Sequence, residues 1–187
     1  FNLDLQAWLN NAVREQYGRD HELAYYDVTN YYFEMDQEDE LRRRGPSKER
    51  RASPIVQMGL LLDSKGLPLA FHLFPGNQSE KLSLTPILNR VKEDYGFGRI
   101  VVVADKGLNC GDNIAYQIAL GNGYIYSQTI RGADKEFKQY VLDQCGYQAT
   151  GEYSKCKSRI YPKEITFTDS RGKKQKLRVD QKQIVFF

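Results

Sequence analysis

Two aspartates interrupt stretches of sequence that are otherwise suited to burial. Asp27 lies inside residues 23–33 (LAYYDVTNYYF), and Asp105 follows residues 99–104 (RIVVVA), the most apolar run in the chain. A carboxylate in such surroundings is costly unless it is paired, hydrogen-bonded or metal-bound. Carboxylates from neighbouring strands can share Mg²⁺ or Mn²⁺. Two such ions about 3.5–4 Å apart can activate a water, polarise a phosphodiester and stabilise the leaving oxygen. Each aspartate also has a plainer reading. Alternation puts Tyr25, Asp27 and Thr29 on one face, so Asp27 could be an edge-strand side chain in solvent. Asp105 precedes Lys106-Gly107 and a helix, so it could be a cap or turn residue. The two lie 78 positions apart on separate predicted strands, and as a pair they favour the metal reading over either alone.

The elements that must position them can be read from periodicity. Residues 3–17 space Leu5, Trp8, Leu9, Ala12 and Val13 three and four apart, as in a short amphipathic helix. Residues 23–33 read as a strand. Residues 55–63 and 67–74 read as a hairpin around Ser64-Lys65-Gly66. A helix follows with Leu84, Ile87, Leu88 and Val91 on its apolar face and Gly96 at its end. A buried strand over 99–104, a helix over 112–120, a strand over 124–130 and a short helix over 134–143 complete residues 1–150. From 152 onward two β-prone runs flank Ser170-Arg171-Gly172-Lys173. Three strands followed by alternating helix and strand is the order of a ribonuclease-H-like mixed α/β sheet with flanking helices. Residues 151–187 then form a basic, C-terminal β-rich insertion.

With 41% hydrophobic and 27% charged residues, the 187-residue chain has globular composition, and no apolar run is long enough to span a membrane. Cys110, Cys145 and Cys156 suit neither a zinc knuckle nor a disulfide scaffold, which fits a reducing cytoplasm. The net charge is only +3, but residues 155–182 carry ten basic against three acidic residues, leaving −4 for the rest. A second basic cluster, Arg42, Arg43, Arg44, Lys48, Arg50 and Arg51, falls in a loop-like stretch. Both clusters suit phosphate neutralisation, and both equally suit a solvated surface. The first residue is Phe and the last five are apolar or amide-bearing, so the chain reads as a piece of something longer.

The segments YDVTNYYFE (residues 26–34), FPGNQSE (74–80) and VVVADKGLN (101–109), in this order, resemble the DDE transposases of the IS4 superfamily, particularly the IS1634-like group. The resemblance runs over essentially the whole chain from Leu23. It implies that Asp27 and Asp105 are catalytic and hold two Mg²⁺ or Mn²⁺ ions, and that the insertion follows the fifth strand. It also implies double-stranded DNA as partner (transposon ends and target), a homodimer or larger synaptic complex for the full-length protein, and action in the bacterial cytoplasm. Lys106, Lys173, Lys174 and Lys176 join the arginine cluster as candidate DNA contacts, although a solvent-facing Lys106 is equally compatible. The family's third acid, a Glu on a Tyr-Arg-Glu-Lys helix after the insertion, has no counterpart before Phe187, so the chain is expected to be catalytically incomplete. Glu136, on the helix after the last core strand, reads as part of a solvated face. His72 reads as a satisfied core or edge histidine, and Gly76 and Gly107 as turn glycines. Competing readings are a non-catalytic nucleic-acid-binding module and a nuclease without strand transfer.

Overall fold

The computed structural model describes residues 2–19, 22–46 and 53–187. Contacts divide the chain into two units, Phe1–Ser127 and Gln128–Phe187.

In the first unit, helix α1 spans Asn2–Tyr17 and strand β1 spans Leu23–Tyr32. Strands β2 (Ile55–Asp63) and β3 (Pro68–Pro75) form the expected hairpin. Its turn is closed by Asp63, whose Oδ1 accepts from the Lys65 and Leu67 amides, and by Gly66 at φ 77°. A 3-10 turn, Glu80–Leu82, leads into α2 (Leu84–Tyr95), which Gly96 ends in the left-handed region. Strand β4 (Val101–Ala104), a second 3-10 turn (Lys106–Leu108), α3 (Gly111–Ala119) and β5 (Gly123–Tyr126) follow.

The sheet order is β3-β2-β1-β4-β5, with β1, β2 and β3 antiparallel in succession and β4 and β5 parallel to β1. This is the mixed α/β, ribonuclease-H-like arrangement that the element order predicts. One face of the sheet is packed: Ala24, Tyr26, Val28, Leu61, Ala70 and Val102 meet Leu84, Ile87, Leu88 and Val91 of α2. Among the described residues of this unit no helix covers the opposite face, where Tyr25, Tyr31 and Ile125 are exposed.

Three expectations shift. β4 starts at Val101 rather than Arg99. β5 ends at Tyr126 rather than Ile130, because among the described residues its only partner strand is the four-residue β4. The stripe Leu5, Trp8 and Leu9 of α1 is exposed, and Gln6 and Asn10 are the buried residues instead. β3 is an edge strand, and Gln6 Oε1 accepts its Phe71 amide at 3.0 Å, so a polar side chain meets the backbone donor.

The second unit holds α4 (Lys135–Leu142) and a three-stranded sheet of order β6-β7-β8: β6 (Gln148–Ala149), β7 (Lys155–Thr168) and β8 (Lys174–Phe186). Asp134 caps α4 by accepting from the Phe137 amide at 2.7 Å. Gly172 at φ 74° turns the long hairpin. Along β7 one face (Lys157, Arg159, Tyr161, Ile165) is partly or fully buried, while the other (Ser158, Ile160, Pro162, Glu164) is exposed.

Candidate active site

Asp27 and Asp105 are brought together by strand pairing. β1 and β4 run parallel in the register Leu23↔Val101 to Tyr26↔Ala104, so the next level of the row holds Asp27 on one strand and Asp105 just past the end of the other. Neighbours in a parallel sheet share a face. Here it is the open one, since Ala24, Tyr26, Val102 and Ala104 are buried beneath and both aspartates are exposed. The β4–β5 register continues the row to Ser127, whose Oγ donates to Asp105 Oδ1 at 2.6 Å.

The site thus lies at the carboxyl ends of β4 and β5, beside the middle of β1, at the point where the strand order reverses. β1 passes to β2 on one side, and β4 arrives by the α2 crossover on the other. Open α/β sheets leave a crevice for ligands at such a switch point.

The plainer readings hold in part. β1 lies inside the sheet, but its pairing with β4 stops at Tyr26, so Asp27 pairs with β2 alone and faces solvent. Asp105 is a turn residue at the cap position of its 3-10 turn, and its side chain makes no capping hydrogen bond. Two carboxylates with a hydroxyl beside them are hard oxygen donors, a set that fits Mg²⁺ or Mn²⁺. Among the described residues, no group of three His, Cys, Asp or Glu side chains converges to hold a metal. Asp27 and Asp105 thus stand as a pair without a third such side chain beside them among the described residues.

The remaining candidate residues are dispersed. Lys106 is exposed immediately after Asp105. In the loop after β1, Arg42 pairs with Asp39 and lies 5.7 Å from the Phe33 ring centroid, and Arg43 is 3.9 Å from Glu38. Arg44 donates to the Asp36 carbonyl at 2.9 Å. Asp39 and Glu38 thus offset the charge that Arg42 and Arg43 could offer a phosphate, while Arg44 is held by a carbonyl of its own loop. Lys48, Arg50 and Arg51 lie outside the described residues. Lys173 sits in the turn of the long hairpin, where its amide donates to Asp169 Oδ1. Lys174 and Lys176 lie on the exposed face of β8, and Lys176 reaches Glu164 at 2.7 Å. That bond, together with the charge of Glu164, raises the Lys176 pKa.

Glu136 accepts from the Tyr161 hydroxyl at 2.8 Å and lies 3.5 Å from Arg159, a contact within the second unit. His72 is half-buried with Nδ1 3.0 Å from Arg90, and burial, followed by the Arg90 charge, lowers its pKa.

Sequence reading missed Ser127, which lay inside an overextended fifth strand, and Glu80, whose Oε2 lies 2.8 Å from where a Cβ on Gly107 would be. It also missed the buried pair Arg19–Asp63 at 3.1 Å, which ties the chain after α1 to the β2–β3 turn.

No helix is long and apolar enough to cross a membrane among the described residues. No protein-family model and no curated protein matches the sequence. Among solved structures, "Mos1 transposase paired-end complex with left transposon end" is similar over 66% of this chain and 40% of its own, at 10% identity and a TM-score of 0.40. "Crystal structure of the Mos1 mariner paired end complex with Mn" is similar over the same shares at 9% identity and a TM-score of 0.33. The chain spans two fifths of the length of these structures.

Proposed function

We propose that this chain is the two-aspartate part of the catalytic domain of a DDE transposase of the IS4 superfamily, IS1634-like group. The observation that carries the reading is the row Asp27 on β1, Asp105 just past β4 and Ser127 just past β5, at the switch point of the sheet, with Ser127 Oγ donating to Asp105. Asp27 and Asp105 would hold the divalent ion. When bound, such an ion activates water and polarises a scissile phosphodiester. The chain's own groups do the rest. The Ser127 hydroxyl orients the Asp105 carboxylate, the open sheet face leaves room for a polymer to reach the pair, and exposed Lys106 can meet a phosphate beside it.

In the intact protein a third acid would complete the site for cleavage of the element's ends and transfer of the 3′-hydroxyl into target DNA, with two copies of the protein pairing the ends. Lys174, Lys176, Arg178 and Lys182 share the exposed face of β8 and form a second place where duplex DNA can be held.

The test is calorimetric titration of the chain with Mn²⁺ beside Asp27→Asn and Asp105→Asn. Binding in the parent that is lost in either variant, with unchanged circular dichroism, supports the reading. Equal heats in all three proteins, or none in the parent, refute it.

A further inference from the structure

The ladder between β1 and β4 ends at Tyr26↔Ala104, one residue short of both aspartates, so the pair lies just past the last β1–β4 rung. A brace assembled from elsewhere in the chain reaches both sides of it. Tyr26, directly before Asp27, is 3% exposed, and its hydroxyl donates to Ser83 Oγ at 2.7 Å. Ser83 is fully buried, and both its Oγ (2.6 Å) and its amide (3.1 Å) donate to the Glu80 carbonyl.

The Glu80 side chain then crosses to the other strand's end. Its Oε2 lies so close to Gly107 that a Cβ there would meet it at 2.8 Å. Gly107 belongs to the turn that carries Asp105, which is closed by Leu108 N–H to the Asp105 carbonyl at 3.1 Å and Asn109 N–H to the Lys106 carbonyl at 3.2 Å. Displacing Gly107 therefore displaces Asp105.

We infer that Glu80 and Ser83 are positioning residues that fix the spacing of the acid pair, Ser83 from the Asp27 side and Glu80 from the Asp105 side. The inference rests on the metal-binding reading of that pair. Glu80 acts through Gly107 and is not itself a ligand, in keeping with the absence of a three-acid cluster among the described residues. Groups that orient metal ligands without touching the ion are commonly worth about 10–100-fold in affinity.

The test compares Glu80→Ala, Glu80→Gln and Ser83→Ala with the parent by two readouts: calorimetric Mn²⁺ affinity, and hydrogen exchange at the Leu108 and Asn109 amides. Glu80→Ala is expected to weaken Mn²⁺ binding about tenfold or more and to speed both amides. Ser83→Ala should do the same more mildly, and Glu80→Gln, which keeps the reach to Gly107, should retain both properties. Parent-like Mn²⁺ affinity or unchanged exchange in Glu80→Ala would overturn the inference while leaving the metal reading intact. Loss of affinity in Glu80→Gln equal to that in Glu80→Ala would also overturn it, because the carboxylate would then be a ligand. Absence of Asp27- and Asp105-dependent binding in the parent would instead overturn the metal reading, and the exchange data would still decide whether the brace exists.

Discussion

Glycine in the middle of a strand ordinarily weakens it, so Gly→Ala there is expected to gain roughly 0.5–1 kcal/mol. At Gly59 of β2 the structure reverses that sign. A Cβ would lie 2.1 Å from the Tyr26 hydroxyl oxygen, 2.9 Å from Tyr26 Cζ and 2.9 Å from Ile87 Cδ1. None of these can withdraw freely, because Ile87 is 0% exposed and the Tyr26 hydroxyl is held by Ser83. Overpacking of this kind costs about 1–3 kcal/mol, and a buried hydroxyl pushed off its partner costs about 1–3 kcal/mol more. Gly59→Ala should therefore lose roughly 2–6 kcal/mol, read by urea unfolding with far-UV circular dichroism. A control isolates the cause. Tyr26→Phe removes the atom at 2.1 Å, so the double variant should be at least about 1 kcal/mol more stable than the sum of the single losses predicts. Stabilisation by Gly59→Ala, or additivity of the two changes, would refute the reasoning.

Arg19→Met strands Asp63, which is 0% exposed and faces Arg19 at 3.1 Å, and should destabilise the first unit by about 3–5 kcal/mol; a loss under about 1 kcal/mol would mean that water replaces the guanidinium. The hydrogen bond from the Arg42 side chain, then that from the Arg42 amide, lowers the Asp39 pKa from 3.8 to about 2. A depressed folded-state pKa means that this contribution is present above pH 4 and is lost as pH falls through about 2, so the Asp39 carboxyl shift should titrate there by NMR and return toward 3.8 in Arg42→Ala. For DNA, neutralising Lys174, Arg178 and Lys182 together should make the salt dependence of duplex binding shallower by about 0.9 per lost phosphate contact, and an unchanged slope would remove β8 from the interface.

The elements around the site were legible because each carries its own periodicity. The hairpin of β2 and β3 and the apolar face of α2 follow from local spacing alone. What placed Asp27 beside Asp105 is not local. It depends on β4 pairing with β1 rather than with β3, a choice made by the α2 crossover. Strand ends likewise belong to partners: β4 offers no rung beyond Tyr126, and this leaves Ser127 free to turn its hydroxyl to Asp105.

Charge was the least legible property, because a count of lysines and arginines does not show what each one meets. Arg42, Arg43 and Arg44 form a basic cluster on paper, but in the fold they are engaged by Asp39, Glu38 and the Asp36 carbonyl. Lys157 shows the same thing more sharply. Alternation along β7 carries a lysine to the buried face, where it is 5% exposed, and the sequence around it gives no hint of a partner. Its ammonium lies 4.5 Å and 4.2 Å from the ring centroids of Tyr140 and Tyr147 and donates to the carbonyl of Asp143 at 2.5 Å. Arg159 next along the strand is 4.1 Å from the Tyr140 ring centroid and 4.4 Å from that of Tyr161. These two cations are structural, held by aromatic faces and carbonyls in place of water. Lys157 and Arg159 are therefore poor candidates for the proposed phosphate contacts, and neutralising either should be felt first in the stability of the second unit.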